Sequence, residues 1–558
     1  MVDSPKGKQP QTEAPEASAS SERAAREVGR PRDENSPLLD PRNNYLDPDD
    51  PQVSPLRLTR IRLLRQLLVL VLMFNLALFL VILVSQFISI PGLGTQAALF
   101  LELNLILLCI LTGLVTIWCF AVPSYYERVL GYVSGALIVL DAIVVLCVPL
   151  LRRLLGLFGM LLVIWTAINI VFNCLADYLV EKSKAAQEIK YTGRVETRKT
   201  VFEMFVTLFK VLVKFILLLA IWNISLSIWL DAFDSHEKPW GKLIPVNDNQ
   251  FQVHLACYGN VHANSTVLGD KKPGDDEPKQ PIVLVEGGQL SSAELFQEWI
   301  QELYNMNKIE RYCVWDRPGY AFSEGAPSPV SLGLVTEYLM EALAKENIEG
   351  PFSAVGFDIG GLYSRVFALR NPGQMHSVLL VDSWHEDLLK HFPFSGPNKK
   401  NEKRSVFRHD LELMDSLQGF LLWLRGLVSP LGVTRSFHWF FHPQRFLSKS
   451  RIFGSDMVHS PKYLRARLQE QITASILSYN EVRTADIKKI PLAVILSDVM
   501  IKQSLNWGKW QRELTKLSSR PLEWVVAENA NHRIWDSPKG RKELQQLLLR
   551  LVSEKSNY

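Results

Sequence analysis

Apolar residues are unevenly spread along the chain. Long uncharged runs crowd between about 66 and 230, and both flanks return to mixed polar sequence. A bilayer core needs about 20 apolar residues per helix. Five stretches meet that length: roughly 67–90, 97–120, 130–151, 154–179 and 211–230. Breaks are expected at Pro91-Gly92, at Pro123 with Tyr125-Tyr126-Glu127-Arg128, and at Arg152-Arg153. The pattern predicts a transmembrane helical domain over 61–232.

Beyond about 245 the period changes. Phe251 to Tyr258 alternates as a strand does, and Pro281-Ile282-Val283-Leu284-Val285 is an apolar run of the kind buried on both faces of a parallel sheet. Further strands are expected at Tyr312 to Trp315, followed by Asp316-Arg317-Pro318-Gly319-Tyr320, at Phe352 to Val355, followed by a turn and a helix-like stretch, and at Ser377 to Val381, ending in Asp382-Ser383-Trp384-His385-Glu386-Asp387. Alternating strands and helices give a doubly wound α/β sheet, with ligands outside the carboxyl ends of its strands. The expected α/β domain spans 245–558, with an insertion at about 388–488 that carries LQGFLLWLRGL and FHWFFHPQRF.

Residues 1–60 are rich in Pro, Ser, Glu, Ala and Arg and have no hydrophobic period, which predicts a disordered cytosolic tail. It lacks the apolar core of a signal peptide. Glu34, Leu38 and Leu39 spell an acidic dileucine pattern, Glu-x-x-x-Leu-Leu, of the kind that sorting adaptors read on proteins bound for lysosomes or vacuoles. That motif points to an endomembrane, with the mitochondrial membrane as the alternative. Basic residues flank the first stretch (Arg57, Arg60, Arg62, Arg65) and fill the loop before the fifth (Lys182, Lys184, Lys190, Arg194, Arg198, Lys199). With five spans both regions lie on the cytosolic side, so the C-terminal domain falls on the lumenal side. Asn264-Ser265-Thr266 is a glycosylation acceptor compatible with that side. Arg152-Arg153 then lies on the unexpected side. Glu102, Asp141 and Asp177 interrupt the apolar runs without evident basic partners; interhelical hydrogen bonding is favoured over transport.

Composition adds little. The net charge is +4 over 558 residues, which gives no reason to expect nucleic acid as a partner. The partners expected are membrane lipids and a small or lipid-like ligand. Four of the six cysteines lie in apolar runs, Cys257 and Cys313 lie outside them, and no CxxC or Cys/His ligand spacing appears. No metal or cofactor is expected.

The chemistry centres on Val355-Gly356-Phe357-Asp358-Ile359-Gly360-Gly361, where a strand enters a Gly-x-Asp-x-Gly-Gly turn and a helix follows. This is the layout of a nucleophile elbow, with Asp358 at the position usually held by serine. The series VLVEGG, WDRPGYAFS, GFDIGGLYSRVFAL and VLLVDSWHED resembles, in order and spacing, α/β-hydrolase-fold proteins with serine-type motifs. The pairing of apolar helices with such a domain also resembles fungal multi-pass membrane proteins. The resemblance implies an α/β-hydrolase fold with a helical cap in the insertion, His532 as general base, and backbone N–H groups of Ile359 and Gly288 as oxyanion donors.

The acid that orients His532 is expected at Asp498, with Asp382, Glu386 and Asp387 as further candidates; Asp316 and Asp382 also read as turn residues. An aspartate attacking an acyl carbon gives an unproductive anhydride. Attack on saturated carbon, by halide displacement or epoxide opening, leaves an alkyl ester that activated water can cleave. Tyr463 or Tyr479 are candidate epoxide activators. A competing reading is a catalytically inactive pseudo-hydrolase that serves binding or assembly.

Overall fold

The structure, a computed structural model, describes residues 58–91, 93, 99–118, 123–192, 201–263, 280–289, 292–390, 416–433, 436–437, 441, 447–484, 487, 489–503 and 506–554. Glu34, Leu38, Leu39 and Asn264 lie outside them. Two compact units are distinguished. One joins Thr59–Glu181 to Lys199–Tyr558; of the described residues, Leu58 and Lys182–Thr192 belong to the other. The sheet domain and the apolar helices, except the stretch from Lys182 to Thr192, thus belong to the same unit.

Five helices are long and apolar enough to cross a membrane. They are α1 (Thr59–Ser85), α2 (Phe100–Trp118), α3 (Tyr125–Cys147), α4 (Pro149–Thr192) and α5 (Val201–Asp234). Ser124 begins α3 with a reciprocal capping box to Glu127. The break between α3 and α4 falls at Val148, which is extended ahead of Pro149, and not at Arg152-Arg153. A residue before proline is pushed out of the helical region, and that local constraint outweighs the pair of charges. Gly156, at φ 63°, then kinks α4 just past the arginines.

Two of the three acids that interrupt the apolar runs, Asp141 and Asp177, have polar partners on other helices, as does Glu127. Asp177 takes Lys214 at 2.7 Å, Glu127 lies 3.9 Å from both Lys210 and Lys214, and Asp141 accepts from Ser225 at 2.6 Å. Polar side chains hydrogen-bonded between helices give a bundle specific contacts that lipid-like packing alone does not.

The C-terminal part is an eight-stranded sheet in the order β1-β2-β4-β3-β5-β6-β7-β8. Its strands are β1 (Lys242–Val246), β2 (Phe251–Tyr258), β3 (Ile282–Glu286), β4 (Tyr312–Asp316), β5 (Phe352–Phe357), β6 (Met375–Val381), β7 (Leu492–Ser497) and β8 (Pro521–Ala527). β2 is antiparallel to both β1 and β4, and the strands from β4 to β8 run parallel. Cys257 and Cys313 face each other across β2 and β4 and form a disulfide.

The helices are α6 (Ala293–Asn305), α7 (Leu332–Lys345), α8 (Gly360–Arg370), α9 (Glu386–Lys390), α10 (Ser416–Val428), α11 (Ser448–Ile452), α12 (Pro461–Thr484), α13 (Asp498–Gln503), α14 (Trp507–Leu514) and α15 (Pro538–Ser553). Alternate residues of each strand feed opposite faces. Ile282 and Leu284 join α7, α8 and α14 in one core, while Val283 and Val285 join α6 and α15 in the other. The expected α/β architecture is therefore present, with helices on both faces.

Helices α10 to α12 form the cap, inserted between β6 and β7. The same side of the bundle meets the sheet domain at several points. Ser328 donates to the carbonyl of Gln86 at 3.1 Å, Arg153 to Gln252 at 2.7 Å, and Arg451 pairs with Asp234. Arg153 thus finds its partner in the sheet domain, which accounts for a basic residue at that end of the bundle.

Candidate active site

Strand β5 ends at Phe357, and the next residue, Asp358, takes φ 56° before α8 begins at Gly360. Left-handed backbone is costly for a residue with a Cβ, and such strain clusters at functional sites. The turn closes because its neighbours lack side chains. A Cβ on Gly356 would come within 2.6 Å of the Gly361 Cα, and one on Gly361 would overlap Ser383 Oγ. The elbow presents Asp358 almost fully buried, 2% exposed.

Strand β8 leads to His532, whose Nδ1 lies 2.7 Å from Asp382 Oδ2 and whose Nε2 lies 3.5 Å from Asp358 Oδ1. Asp382, at φ 43°, follows β6 directly and is held by more than the histidine. The indole N–H of Trp507 donates to its Oδ1 at 2.7 Å, and the Ser497 backbone N–H at 3.2 Å. Burial alone would push the imidazole down. The bonds and charges of Asp358 and Asp382 outweigh burial and hold His532 up at about 10, as imidazolium at neutral pH.

The orienting acid is a correction. Asp498 opens α13 and is bonded elsewhere: Oδ2 accepts from Lys502 at 2.7 Å and Oδ1 from the Ala530 backbone N–H at 3.2 Å. The chain turns into α13 immediately after β7, so this carboxylate ties the helix start to the loop after β8. Asp382 occupies the position beside His532. Its signal is present in the sequence as the acid immediately following the apolar strand of β6, but an acid at a strand end reads equally as a turn residue. Glu386 and Asp387 are engaged away from His532 as well. Glu386 pairs with the buried Arg365 at 2.7 Å, and Asp387 donates its backbone N–H to His385 Nδ1 at 3.1 Å.

The backbone donor on the β3 side also differs by one residue. The Gln289 N–H donates to Asp358 Oδ2 at 2.8 Å, whereas Gly288 turns its carbonyl to Arg317 Nη2 at 2.9 Å. A Cβ on Gly288 would strike the Phe357 ring at 2.5 Å, so the loop passes close over the elbow. Ile359 is fully buried immediately after the aspartate.

Arg317 organises this loop. It also donates to the Gly287 carbonyl, pairs with Glu470 of α12 at 2.9 Å, and lies over the rings of Tyr320 and Tyr363 at 4.5 and 4.9 Å. Both tyrosine hydroxyls donate to Glu470, at 2.6 and 3.0 Å. Glu286 stands nearby, fully buried; burial pushes it up to about 8 against the pull of Arg317, so it carries a proton at neutral pH. From the cap, Tyr463 donates to the Gln289 carbonyl at 2.8 Å and Gln471 to the Gln289 side chain at 3.3 Å. Tyr463 is thereby at the site, and Tyr479 packs against the main core instead.

His385, Asp387 and Glu513 offer ligand atoms within 4.8 Å of one another. The His385 Nδ1 lone pair is taken by Asp387 N–H, which leaves Nε2 carrying the proton of a neutral ring, a poor donor set for a metal.

Comparison with known proteins agrees with this architecture. A family described as alpha/beta hydrolase fold matches residues 280–438, and one described as a region of unknown function matches 30–257. The C-terminal part is an α/β-hydrolase-fold domain, joined to a segment of five apolar helices. The chain is 37% identical over 328 residues to an uncharacterized vacuolar membrane protein of Saccharomyces cerevisiae; the match covers 54% of this chain and 49% of that one. The chain thus spans about half the length of that relative. An uncharacterized protein of Schizosaccharomyces pombe is 26% identical over 494 residues, 82% of this chain and 85% of that protein. Among solved structures, a haloalkane dehalogenase of Agrobacterium tumefaciens aligns over 56% of this chain and 97% of its own, at 16% identity and a TM-score of 0.37, too slight a likeness to bear on activity.

Proposed function

We propose that this chain is a membrane-anchored hydrolase that attacks saturated carbon through Asp358. The observation that carries the reading is the Asp358–His532–Asp382 line, 3.5 Å and 2.7 Å long, with one oxygen of Asp358 held by a backbone N–H. Oδ1 is the attacking atom. It forms a bond to an sp³ carbon as the bond to a halide or epoxide oxygen breaks and the leaving group departs with the electron pair. The product is an alkyl ester at Oδ1 whose carbonyl oxygen is Oδ2.

Esterification also removes the negative charge that holds the proton on His532, so the imidazolium passes its proton to the opened epoxide's alkoxide oxygen, or to water when halide leaves, and becomes a base. It then takes a proton from water as that water adds to the ester carbon, and negative charge develops on Oδ2, where the Gln289 N–H donates. Collapse expels the alcohol, which recovers the proton from His532. The buried, left-handed Asp358 is consistent with a second reading, a non-catalytic domain whose triad is retained only as packing; its 2% exposure is the observation on that side.

For location, we infer an endomembrane, the vacuolar membrane in fungi, with the hydrolase domain lumenal. The naming of the Saccharomyces relative, the five apolar helices and the Cys257–Cys313 disulfide support this, since disulfides persist in oxidising compartments. A sorting adaptor at Glu34, Leu38 and Leu39 belongs to the same proposal.

The test is an ester trap. The full chain is incubated with long-chain terminal epoxides and bromoalkanes, and the peptide bearing Asp358 is weighed. His532→Ala is expected to accumulate an alkyl adduct on Asp358 that Asp358→Asn lacks, while the unsubstituted chain turns over and takes up ¹⁸O from water into Asp358. Absence of both adduct and ¹⁸O across the panel sinks the catalytic reading in favour of the second.

A further inference from the structure

The cap does more than cover the hydrolase site: part of it packs against the helical bundle. Trp423 and Leu427 of α10 pack with Ile82, Leu103, Ile106 and Cys109 of α1 and α2, and Leu431 packs in a cluster with Leu105, Val145 and Ile224. The Leu427 carbonyl accepts from Asn104 at 2.6 Å, and a Cβ on Gly426 would strike the Phe100 ring. Further on, Gly432 sits against Ser227, and Ser436 donates to the Asn223 side chain at 2.9 Å. Asn223 is eight residues before Asp231, the first charge at that end of α5. At 1.5 Å per residue the cap reaches about 12 Å below the level of that carboxylate, within a hydrocarbon layer about 30 Å thick.

The outward face of this segment is apolar and uncovered. Phe420, Leu421, Val428, Val433 and Phe437 are all exposed. On a water-facing surface such a patch is a liability, whereas beside membrane helices it continues their lipid-facing surface. Between α10 and α12 runs a groove of about 310 Å³, lined by Leu424, Val428, Val433 and Leu464 together with Arg425 and His459. Arg425 donates to His459 Nδ1 at 2.9 Å, and it feels the charge of another cation, Arg467 of α12. Among the described residues neither arginine has a carboxylate partner. A guanidinium in the wall of an apolar groove, with a second cation close enough to repel it, is complementary to one anion with a long hydrocarbon tail.

We propose that residues 416–433 are a re-entrant membrane element, and that the groove beside it binds an anionic phospholipid, its phosphate at Arg425 and Arg467 and its acyl chain along Leu424, Val428, Val433 and Leu464. The inference rests on the proposed membrane location and not on catalysis. It places a lipid next to Tyr463, the residue that touches the Gln289 loop, so a bilayer-borne amphiphile is the substrate class this groove would deliver.

The full chain, purified in detergent and reconstituted into phosphatidylcholine nanodiscs with or without phosphatidylserine, provides the test. Native mass spectrometry is expected to find phosphatidylserine retained over phosphatidylcholine. Arg425→Gln with Arg467→Gln should lose that preference about tenfold or more, and the paired lysine variant, which keeps the charge, should hold most of it. Equal retention by the glutamine variant, when it melts as the parent does, overturns the site. Retention of oleate in place of phosphatidylserine overturns the phosphate assignment. For the element itself, a fluorophore on Val433→Cys should be quenched by nitroxide placed mid-chain in the lipid and spared by aqueous iodide; the reverse overturns insertion. Neither readout depends on turnover, so both remain decisive if the ester trap fails.

Discussion

Helix α12 takes part in two charge clusters built on opposite principles. On the catalytic side every charge has its complement: Glu470 meets Arg317 and two tyrosine hydroxyls, and His532 lies between two carboxylates. On the groove side Arg425 and Arg467 oppose each other with no acid among the described residues. Burying a charge is tolerable only when it is paired, so the first cluster is complete as it stands. The second is open to water at Arg425, and the proposed phospholipid would supply its anion from outside. Internal compensation marks machinery that the fold itself positions, and a missing counter-charge marks a place for a ligand.

The comparison breaks most visibly at Asp358. Asparagine there keeps the shape, removes the attacking carboxylate and removes one of the two anions that hold the proton on His532. Turnover of any alkyl substrate should fall by at least about 10³-fold, with no covalent adduct. An NMR titration should find the His532 pKa well below its parent value of about 10. If the pKa stays where it was, the two carboxylates are not what holds the proton. Asp358→Ser is an informative companion, since the remaining groups are those of acyl transfer. A gain of hydrolysis of p-nitrophenyl esters would mean that the domain retains working machinery around a changed nucleophile.

Asp382→Asn comes next. It leaves Trp507 and Ser497 near their places but no longer fixes the imidazolium, and about a hundredfold or greater loss of turnover is expected with modest change in KM. Glu470→Gln strips Arg317 of its acid partner in a fully buried setting. Breaking such a pair costs about 3–5 kcal/mol, which a melting curve detects. Because Arg317 holds the Gly287 and Gly288 carbonyls, the Gln289 N–H should lose its aim at Asp358 as well. Replacing both partners by methionine separates the two effects: stability should largely return while turnover does not.

These contrasts also show what the sequence can tell and what it cannot. The elbow is legible because its glycines are forced by contacts only 2–3 Å from where a Cβ would stand, a constraint that leaves one spelling. The apolar spans are legible because length and composition alone decide them. The α3–α4 break is easily misplaced because two arginines are a louder signal than one proline. Asp382 is visible as a candidate but not as the partner, since which strand end approaches His532 is a matter of sheet order. The Cys257–Cys313 disulfide depends on antiparallel register, and the Asp177–Lys214 pair on which helix faces which. None of these is written locally.

Smaller than the substitutions is the effect of pH on stability. The unfolded chain has an ordinary histidine, with a pKa near 6.5, and the folded chain holds His532 near 10. Between those values the folded state binds more protons than the unfolded state, so stability falls as pH rises. The contribution is fully present below about pH 6.5 and is gone above about pH 10. It amounts to a few kcal/mol at most. Melting temperature measured from pH 6 to 10 should decline in the parent and decline less in Asp358→Asn. Equal slopes in both would show that the parent's pH dependence arises elsewhere.

The smallest effect is expected at Asp498, and it tests the site assignment most cleanly. Its carboxylate serves the start of α13 and the Ala530 backbone N–H, and Lys502 beside it holds its pKa below the usual range. Lys502 is largely exposed, so the ion pair with it is worth about 1 kcal/mol or less. Asp498→Asn should therefore lower the melting temperature slightly and leave turnover within about twofold of the parent. The paired measurement with Asp382→Asn is the decisive one, because both acids follow neighbouring parallel strands and either could be drawn beside a histidine. If Asp498→Asn proves the more damaging to turnover, the carboxylate that serves His532 in the reacting protein is not the one lying 2.7 Å from it, and the loop after β8 must shift by a residue or more during catalysis.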